Sequence, residues 1–282
     1  MLGATVVAVG TLFPVVAPRP DGDSTEGMTM EYENMRFERH GDVLHVIMHT
    51  EGGALRWSST SHREFPQAFA DVASRYDVKV VVITGSGDSF CDEIDHLTFG
   101  GAVGEWDRLF TEARQLVHNL LAIDVPVVAA VNGPARVHAE LALLADIVIA
   151  SETAVFSDGA HFPAGAVPGD GAHILFLDLL GTNRGRYFLL TGGELSADDA
   201  LQMGLVGEVV PQADVLRRAD ELAQRLAEKP APLLRFTREA ITADLKRRWS
   251  QMLGYGLALE ATASLLPREQ GSLEHGSPAR TE

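Results

Sequence analysis

Residues 78–95 read VKVVVITGSGDSFCDEID, and this stretch decides the fold. Its first seven residues are apolar at nearly every position. A strand covered on one face alternates apolar with polar, so a continuous run predicts a strand covered on both faces, as in a parallel sheet. The glycines and polar residues that follow form a loop with functional character. Downstream, Leu109, Ala113, Leu116, Val117 and Leu120 recur at helical spacing, and Pro126 leads into a second buried strand, Val127–Val131. The loop NGPARVHAE then opens another apolar helix, and a further strand begins over Asp146–Ala150. Upstream, the turn His40-Gly41-Asp42 precedes the strand Val43–Met48. A glycine- and hydroxyl-rich loop, TEGGALRWSST, separates it from a helix marked by Phe65, Phe69, Val72, Ala73 and Tyr76. Ser61 and Glu64 have capping-box spacing, and Pro66 fits the first helical turn, so this helix is expected to start close to Pro66. Repeated strand–loop–helix units predict an α/β fold with crossover connections.

The second half carries a helix, a turn, a short helix and a strand over GTNRGRYFLLTG and SADDALQMGLVGEVVP. Leu216, Ala219, Leu222, Ala223 and Leu226 predict an amphipathic helix. Pro230 and Pro232 separate it from a helix around Phe236, Ile241 and Leu245, with a last apolar helix over Met252–Leu266. The expected organisation is an N-terminal extension over 1–30, a core over 31–212, a helical region over 213–266 and a polar, frayed tail over 267–282. The first residues are apolar, but they are interrupted by Pro14, too short for a membrane helix and preceded by no basic residue as a signal peptide would be. Residues 1–27 are therefore expected to be dispensable, and Met28 and Met30 stand just before the first patterned segment.

With 23 basic and 39 acidic side chains the net charge is −16. Such a surface repels nucleic acid and anionic membrane, and neither is expected as a partner. The single cysteine, Cys91, excludes an internal disulfide framework and a cysteine-rich zinc site, and a reducing cytoplasm is the simplest home. It reads as a small buried filler, because no basic residue flanks it to activate a thiolate. There is no dinucleotide fingerprint, P-loop or HExxH motif.

The candidate chemistry lies in Phe156–His173, FSDGAHFPAGAVPGDGAH, which holds two histidines and two aspartates. His161 and Asp170 lie nine residues apart across the turn VPGDG, and an imidazole beside a carboxylate can activate water. The same residues read alternatively as a surface loop with a solvated histidine, and Asp170, between two glycines, as the cap of the next helix.

Three segments resemble the crotonase (enoyl-CoA hydratase/isomerase) superfamily: VVVITGSGDSFCDEID, PVVAAVNGPARVHAELALLADIVIAS, and FSDGAHFPAGAVPGDG together with FLLTGGELSADDALQMGLVGEVVP. The resemblance covers roughly residues 31–265. It implies a spiral of ββα units with a C-terminal helical region, assembled as a homotrimer or a dimer of trimers. Where the hydratases carry two catalytic glutamates, this chain has Leu141 and His161. Arg136-Val137-His138-Ala139 replaces the glycine run of the second oxyanion-hole loop, and Asp92-Glu93 replaces the Ala-Gly of the first. Within the superfamily the chain is similar to the β-diketone hydrolases of the 6-oxocamphor hydrolase type. It shares with them His49–Gly52, Trp57–His62, Ser89–Asp95, His138, Asp158–His173 and Asn183–Gly192.

That resemblance implies a hydrolase that opens a cyclic 1,3-diketone by a retro-Claisen reaction, with no cofactor and no metal. His161 is expected to be the base, Asp170 to orient and charge it, and His138 to hydrogen-bond a substrate oxygen. His62 and Glu260 are expected to relay a proton, and Trp57 and Phe99 to wall an apolar pocket. Each residue has a plainer reading: His62 exposed in a helix's first turn, His138 paired with Arg136 at the surface, Trp57 and Phe99 in the core. Glu260, isolated on an apolar helix, is hardest to explain without a partner. Three rivals remain. One is a CoA-thioester enzyme using Asp92 or Glu140 as acid, another a metal hydrolase built on His138, His161 and Asp170, and the third a scaffold without turnover.

Overall fold

A computed structural model of the chain describes residues 31–97 and 105–265. Phe99, the N-terminal extension and the polar tail lie outside the described residues. The chain opens with strands β1 (Met35–His40) and β2 (Val43–Met48), then the short β3 (Arg56–Trp57) and helix α1 (Ser59–Ala73). A second round supplies β4 (Val80–Gly85), β5 (Glu93–Ile94) and α2 (Trp106–Ala122). Next come β6 (Val127–Val131), the one-turn α3 (Glu140–Leu143), β7 (Ile147–Ser151) and β8 (Val155–Ser157). Helices α4 (Ala172–Leu180) and α5 (Thr182–Thr191), β9 (Glu194–Ser196), α6 (Ala197–Met203) and β10 (Glu208–Val210) follow. Two helices close the chain, α7 (Val215–Ala227) and α8 (Ala231–Ser264).

The main sheet has the order β1-β2-β4-β6-β7-β10, antiparallel between β1 and β2 and parallel elsewhere. β2, β4 and β7 are each followed by a short strand that leaves this sheet. β3 pairs with β5, and β8 with β9. Bridges from Cys91 to Ala135 and from Ala135 to Phe156 join the pairs into a smaller second layer. This is the strand–strand–helix spiral that the resemblance implied.

The sheet is buried on both faces, which is why β6 and the start of β4 read as continuous apolar runs and β2 is interrupted only by His45. Alternate side chains divide between two cores. Leu44, Val46, Val81, Ile83 and Ala129 join Phe65 and Phe69 of α1 and Leu116 and Leu120 of α2. Val43, Val80, Val82, Val128 and Ala130 face Val215, Ala219 and Ala223 of α7. Cys91 is fully buried, as expected of a filler, and burial pushes its thiol well up.

Three elements differ from the sequence expectations. α1 begins at Ser59, about two turns before Pro66, because Ser58 is the N-cap and closes a capping box with Ser61 rather than Ser61 with Glu64. The Glu64 carboxylate instead accepts the backbone N–H groups of Glu33 and Asn34. The helix after the NGP loop lasts only four residues. The two helices expected after Pro230 are one, α8, with Pro232 in its first turn, where a missing N–H costs nothing. The polar run Lys246–Gln251 hides the continuity, yet Trp249 within it is fully buried.

Candidate active site

The loop 156–173 is seated against α8 by glycine. A Cβ on Gly256 would lie 2.4 Å from the Gly169 carbonyl oxygen and 2.2 Å from Cε1 of His173. A Cβ on Gly169 would lie 2.3 Å from the Gly256 oxygen. Gly171, at φ +124°, leaves room for the Trp249 ring. One helical turn beyond Gly256, this contact delivers Glu260 to the loop.

His161 heads a single 3-10 turn over Phe162–Ala164 and is nearly buried. Its Nδ1 donates to Asp158 Oδ1 at 2.5 Å, its Nε2 is 3.4 Å from Asp170 Oδ2, and Glu260 Oε1 is 3.9 Å from the same Nε2. The expected pairing with Asp170 is present, and Asp158 is a second, closer carboxylate that sequence reasoning gave no role. Its signal was the i,i+3 spacing from His161. Asp170 also accepts the Ala172 backbone N–H at 3.4 Å, but it is not the cap expected of it: the N-cap of α4 is Gly171, with no side-chain cap.

His138 sits in the left-handed region at φ +50°, a conformation that a side chain with a Cβ adopts at a cost and that recurs at functional sites. Its Nδ1 is 2.5 Å from Glu140 Oε1 and 4.0 Å from Asp170 Oδ2. It is only slightly exposed and does not pair with Arg136, which bridges Asp92 and Glu194 instead. Trp57 stacks on the His138 ring with centroids 3.8 Å apart and meets His62 edge-on at 6.1 Å. His62 is buried, not exposed, and its Nδ1 lies 2.7 Å from Glu112 of α2. The carboxylate facing His62 is thus Glu112, a residue sequence reasoning passed over inside an amphipathic helix. Trp57 is a core residue: it is fully buried, and its indole Nε1 has no hydrogen-bond partner among the described residues.

Electrostatics sort these groups into proton carriers and charges. Burial lowers the affinity of His161 for a proton, but the charge of Asp170 and the bond to Asp158 outweigh it and hold the group at about 10. Burial likewise lowers His138, and Glu140 and Asp170 carry it above its ordinary value. Asp170 is pushed up by burial, yet the two histidines bring it below the usual carboxylate range. Glu260 moves the other way: burial, reinforced by Asp170, raises it to about 8, and its Oε2 is buried with no hydrogen-bond partner among the described residues. At neutral pH the cluster therefore holds an imidazolium, at least one carboxylate and a neutral carboxylic acid within a few ångströms. Such a set can donate to two oxygens and, after losing a proton from His161, accept one from water. His138, Glu140 and Asp170 also offer ligand atoms within 4.8 Å of one another, a closer set than the sequence suggested.

Fold and cluster together define a crotonase-type enzyme. The enoyl-CoA hydratase/isomerase family profile matches residues 54–263, and the chain belongs to that family. A probable peroxisomal enoyl-CoA hydratase 1 of Arabidopsis thaliana is 33% identical over 198 residues, 70% of this chain and 72% of that protein. A probable enoyl-CoA hydratase of Rhodobacter capsulatus is 32% identical, covering 89% and 93%. Among solved structures, a β-diketone hydrolase of the cyanobacterium Anabaena sp. PCC 7120, bound to (S)-3-oxocyclohexyl acetic acid, is 47% identical. It superposes with a TM-score of 0.81, covering 83% of this chain and 94% of that one. That likeness agrees with the branch resemblance read from the sequence.

Proposed function

We propose that the chain hydrolyses a carbon–carbon bond of a cyclic β-diketone, giving a keto acid. Water adds to one carbonyl carbon, and the bond between that carbon and the one separating the two carbonyls breaks. The electron pair moves onto the second carbonyl as an enolate, and a proton quenches it at carbon. The step needs a base for water, donors for two oxygens and an acid for the enolate. His161 takes the water proton, with Asp158 fixing its ring and Asp170 carrying the countercharge. His138 donates to a substrate oxygen. Glu260, neutral at pH 7 and 3.9 Å from His161, is the acid. Trp57 packs the floor beneath His138, and His62 with Glu112 holds Trp57 from behind. Phe99 is retained in the proposal as the second apolar wall.

The observation that carries this reading is the His161 ring held between Asp158 and Asp170 with the Glu260 carboxyl 3.9 Å away. The Anabaena structure supports it. Cleaving a bicyclic 1,3-diketone yields a monocyclic ketone with a carboxylate arm, and the molecule bound there is a cyclic ketone bearing acetic acid. By the same family argument the chain assembles as a trimer or a dimer of trimers. The exposed Leu233, Phe236, Ile241, Met252, Tyr255 and Leu259 of α8 give such an assembly apolar surface to cover.

The curated relatives named as enoyl-CoA hydratases favour a second reading, a CoA-thioester enzyme with Glu140 as acid. Against it, Glu140 is already bonded to His138, and Leu141 and His161 occupy the positions of the hydratase glutamates. A panel of bicyclic and monocyclic 1,3-diketones, followed by loss of diketone absorbance alongside crotonyl-CoA, decides between them. Faster turnover of crotonyl-CoA than of every diketone overturns the proposal.

A further inference from the structure

A second cluster lies on the opposite side of the main sheet, beneath α7. His45 is the one polar side chain of β2, 2% exposed, on the sheet face that α7 covers. Its Nε2 is 2.9 Å from Asp220 Oδ1 of α7. His40, at the end of β1, is on the same face of the β1–β2 hairpin. It pairs in register with Val43, two residues from His45, and its ring lies 4.4 Å from the His45 ring. His40 Nδ1 is 3.9 Å from the same Asp220 oxygen, and the three ligand atoms all fall within 4.8 Å of one another. Glu38, the cross-strand partner of His45, lies 3.9 Å from His40 Nε2. Gln224, one turn along α7, donates to Asp220 Oδ1 at 3.4 Å and to the His40 carbonyl oxygen at 3.3 Å.

The geometry points to a site for a divalent transition-metal cation of the zinc type, bound by His40, His45 and Asp220 at the seam between the β1–β2 hairpin and α7. Two imidazoles and one carboxylate suit zinc and its neighbours rather than magnesium or calcium, which take oxygen donors. Bonds of about 2.0–2.2 Å put tetrahedral ligand atoms roughly 3.3 Å apart. The 2.9 and 3.9 Å spacings straddle that value, and His40, 47% exposed, has the freedom to close the gap. Water completes the fourth position, and Glu38 faces the other ring nitrogen of His40 as an outer partner. All three ligands stand on or at the ends of regular elements, and Gln224 orients the carboxylate from outside, as outer partners do in metal sites. The site shares no residue with the active-site cluster, so the inference stands whether or not the diketone reading does. A metal here ties edge strand β1 to α7 and stabilises the folded chain by binding it in preference to the unfolded one.

The test uses the full chain, stripped with a chelator and titrated with zinc chloride by calorimetry, with thermal unfolding in parallel and magnesium as the control ion. The expected result is one saturable zinc per chain and a raised Tm, with no response to magnesium. His40→Ala and Asp220→Asn, each checked for unchanged fold by circular dichroism, should lose at least about 100-fold in zinc affinity. Gln224→Leu should lose about 10–100-fold, the usual cost of an outer partner. Glu140→Gln, in the other cluster, should retain the affinity, and His40→Ala should leave the turnover of the unloaded protein unchanged. No saturable uptake by the unaltered chain overturns the inference. So does uptake that falls less than about 10-fold in both His40→Ala and Asp220→Asn, or uptake that Glu140→Gln abolishes instead.

Discussion

In the proposed reaction His161 is the base, and its two carboxylate neighbours set when it can act. At about 10 it holds its proton at pH 7, and roughly a thousandth of the molecules present a free base. Turnover should therefore rise with pH through neutrality and pass through a maximum between about 8 and 10, where His161 begins to release its proton and Glu260, the acid, loses its own. Asp158→Asn removes one of the charges that keep the proton in place, so the limb of kcat/KM should move to lower pH. An unmoved limb would show that another group titrates. His161→Ala should remove nearly all of kcat, about 10²–10⁴-fold, the usual scale for general-base machinery. His138→Ala removes a donor used in both ground and transition states, so KM should rise with a smaller fall in kcat. If His161→Ala keeps most of kcat while His138→Ala abolishes it, the base sits in the other loop. His161, Asp170 and His138 were legible in the sequence because the loops that bear them have no plain helical or strand pattern. Asp158 and Glu112 were not, and Glu140 had a part only in the CoA-thioester reading. Each is a carboxylate in an unremarkable position, and only the folded chain shows which imidazole it faces.

At the scale of elements, the strands could be read from sequence because burial on both faces leaves a nearly unbroken apolar run. Helix ends were harder. The cap of α1 depended on which of several serines turned its hydroxyl to the backbone, and the length of α8 depended on a tryptophan amid arginines. The root of α8 is fixed by Arg238, 1% exposed, which donates to Asp146 at 2.7 Å and to the carbonyl oxygens of Leu121 and Ile123. Truncating it leaves the Asp146 carboxylate buried with one partner fewer. Arg238→Ala should lower the unfolding free energy by about 3–5 kcal/mol, read by denaturant melts. A loss below about 1 kcal/mol would mean that water replaces the guanidinium. At the other end, Gly256→Ala places a methyl group inside the contact radius of Gly169 and His173. It should cut kcat by about 100-fold, as expected when a reacting group moves by about 1 Å, with a smaller change in Tm than Arg238→Ala gives.

For the whole molecule, the active-site cluster sets a pH dependence of stability. Glu260 is raised from 4.5 to about 8, so between those values the folded chain keeps a proton that the unfolded chain has released. Stability contributed there falls as pH climbs to about 8. His161 is raised from 6.5 to about 10, so its contribution is complete below 6.5 and is lost as pH climbs to about 10. Both act in one direction, and Tm should decline from pH 5 toward pH 10. Glu260→Gln should flatten the decline below pH 8 and leave the part above it. An unchanged slope would place the Glu260 carboxyl in water.

The two supports of α8 also make it a lever. Arg238 and Glu260 are about 33 Å apart along the axis at 1.5 Å per residue, one pinned at the root and the other riding at the tip. A tilt of about two degrees at the root swings the tip by about 1 Å, enough to matter to a reacting group. The glycine contact at residue 256 is the rest on which that beam lies. Substitutions in the sheet-side socket of Arg238 can thus silence the enzyme from the far side of the molecule, and a screen for lost turnover should recover them alongside residues that touch the substrate.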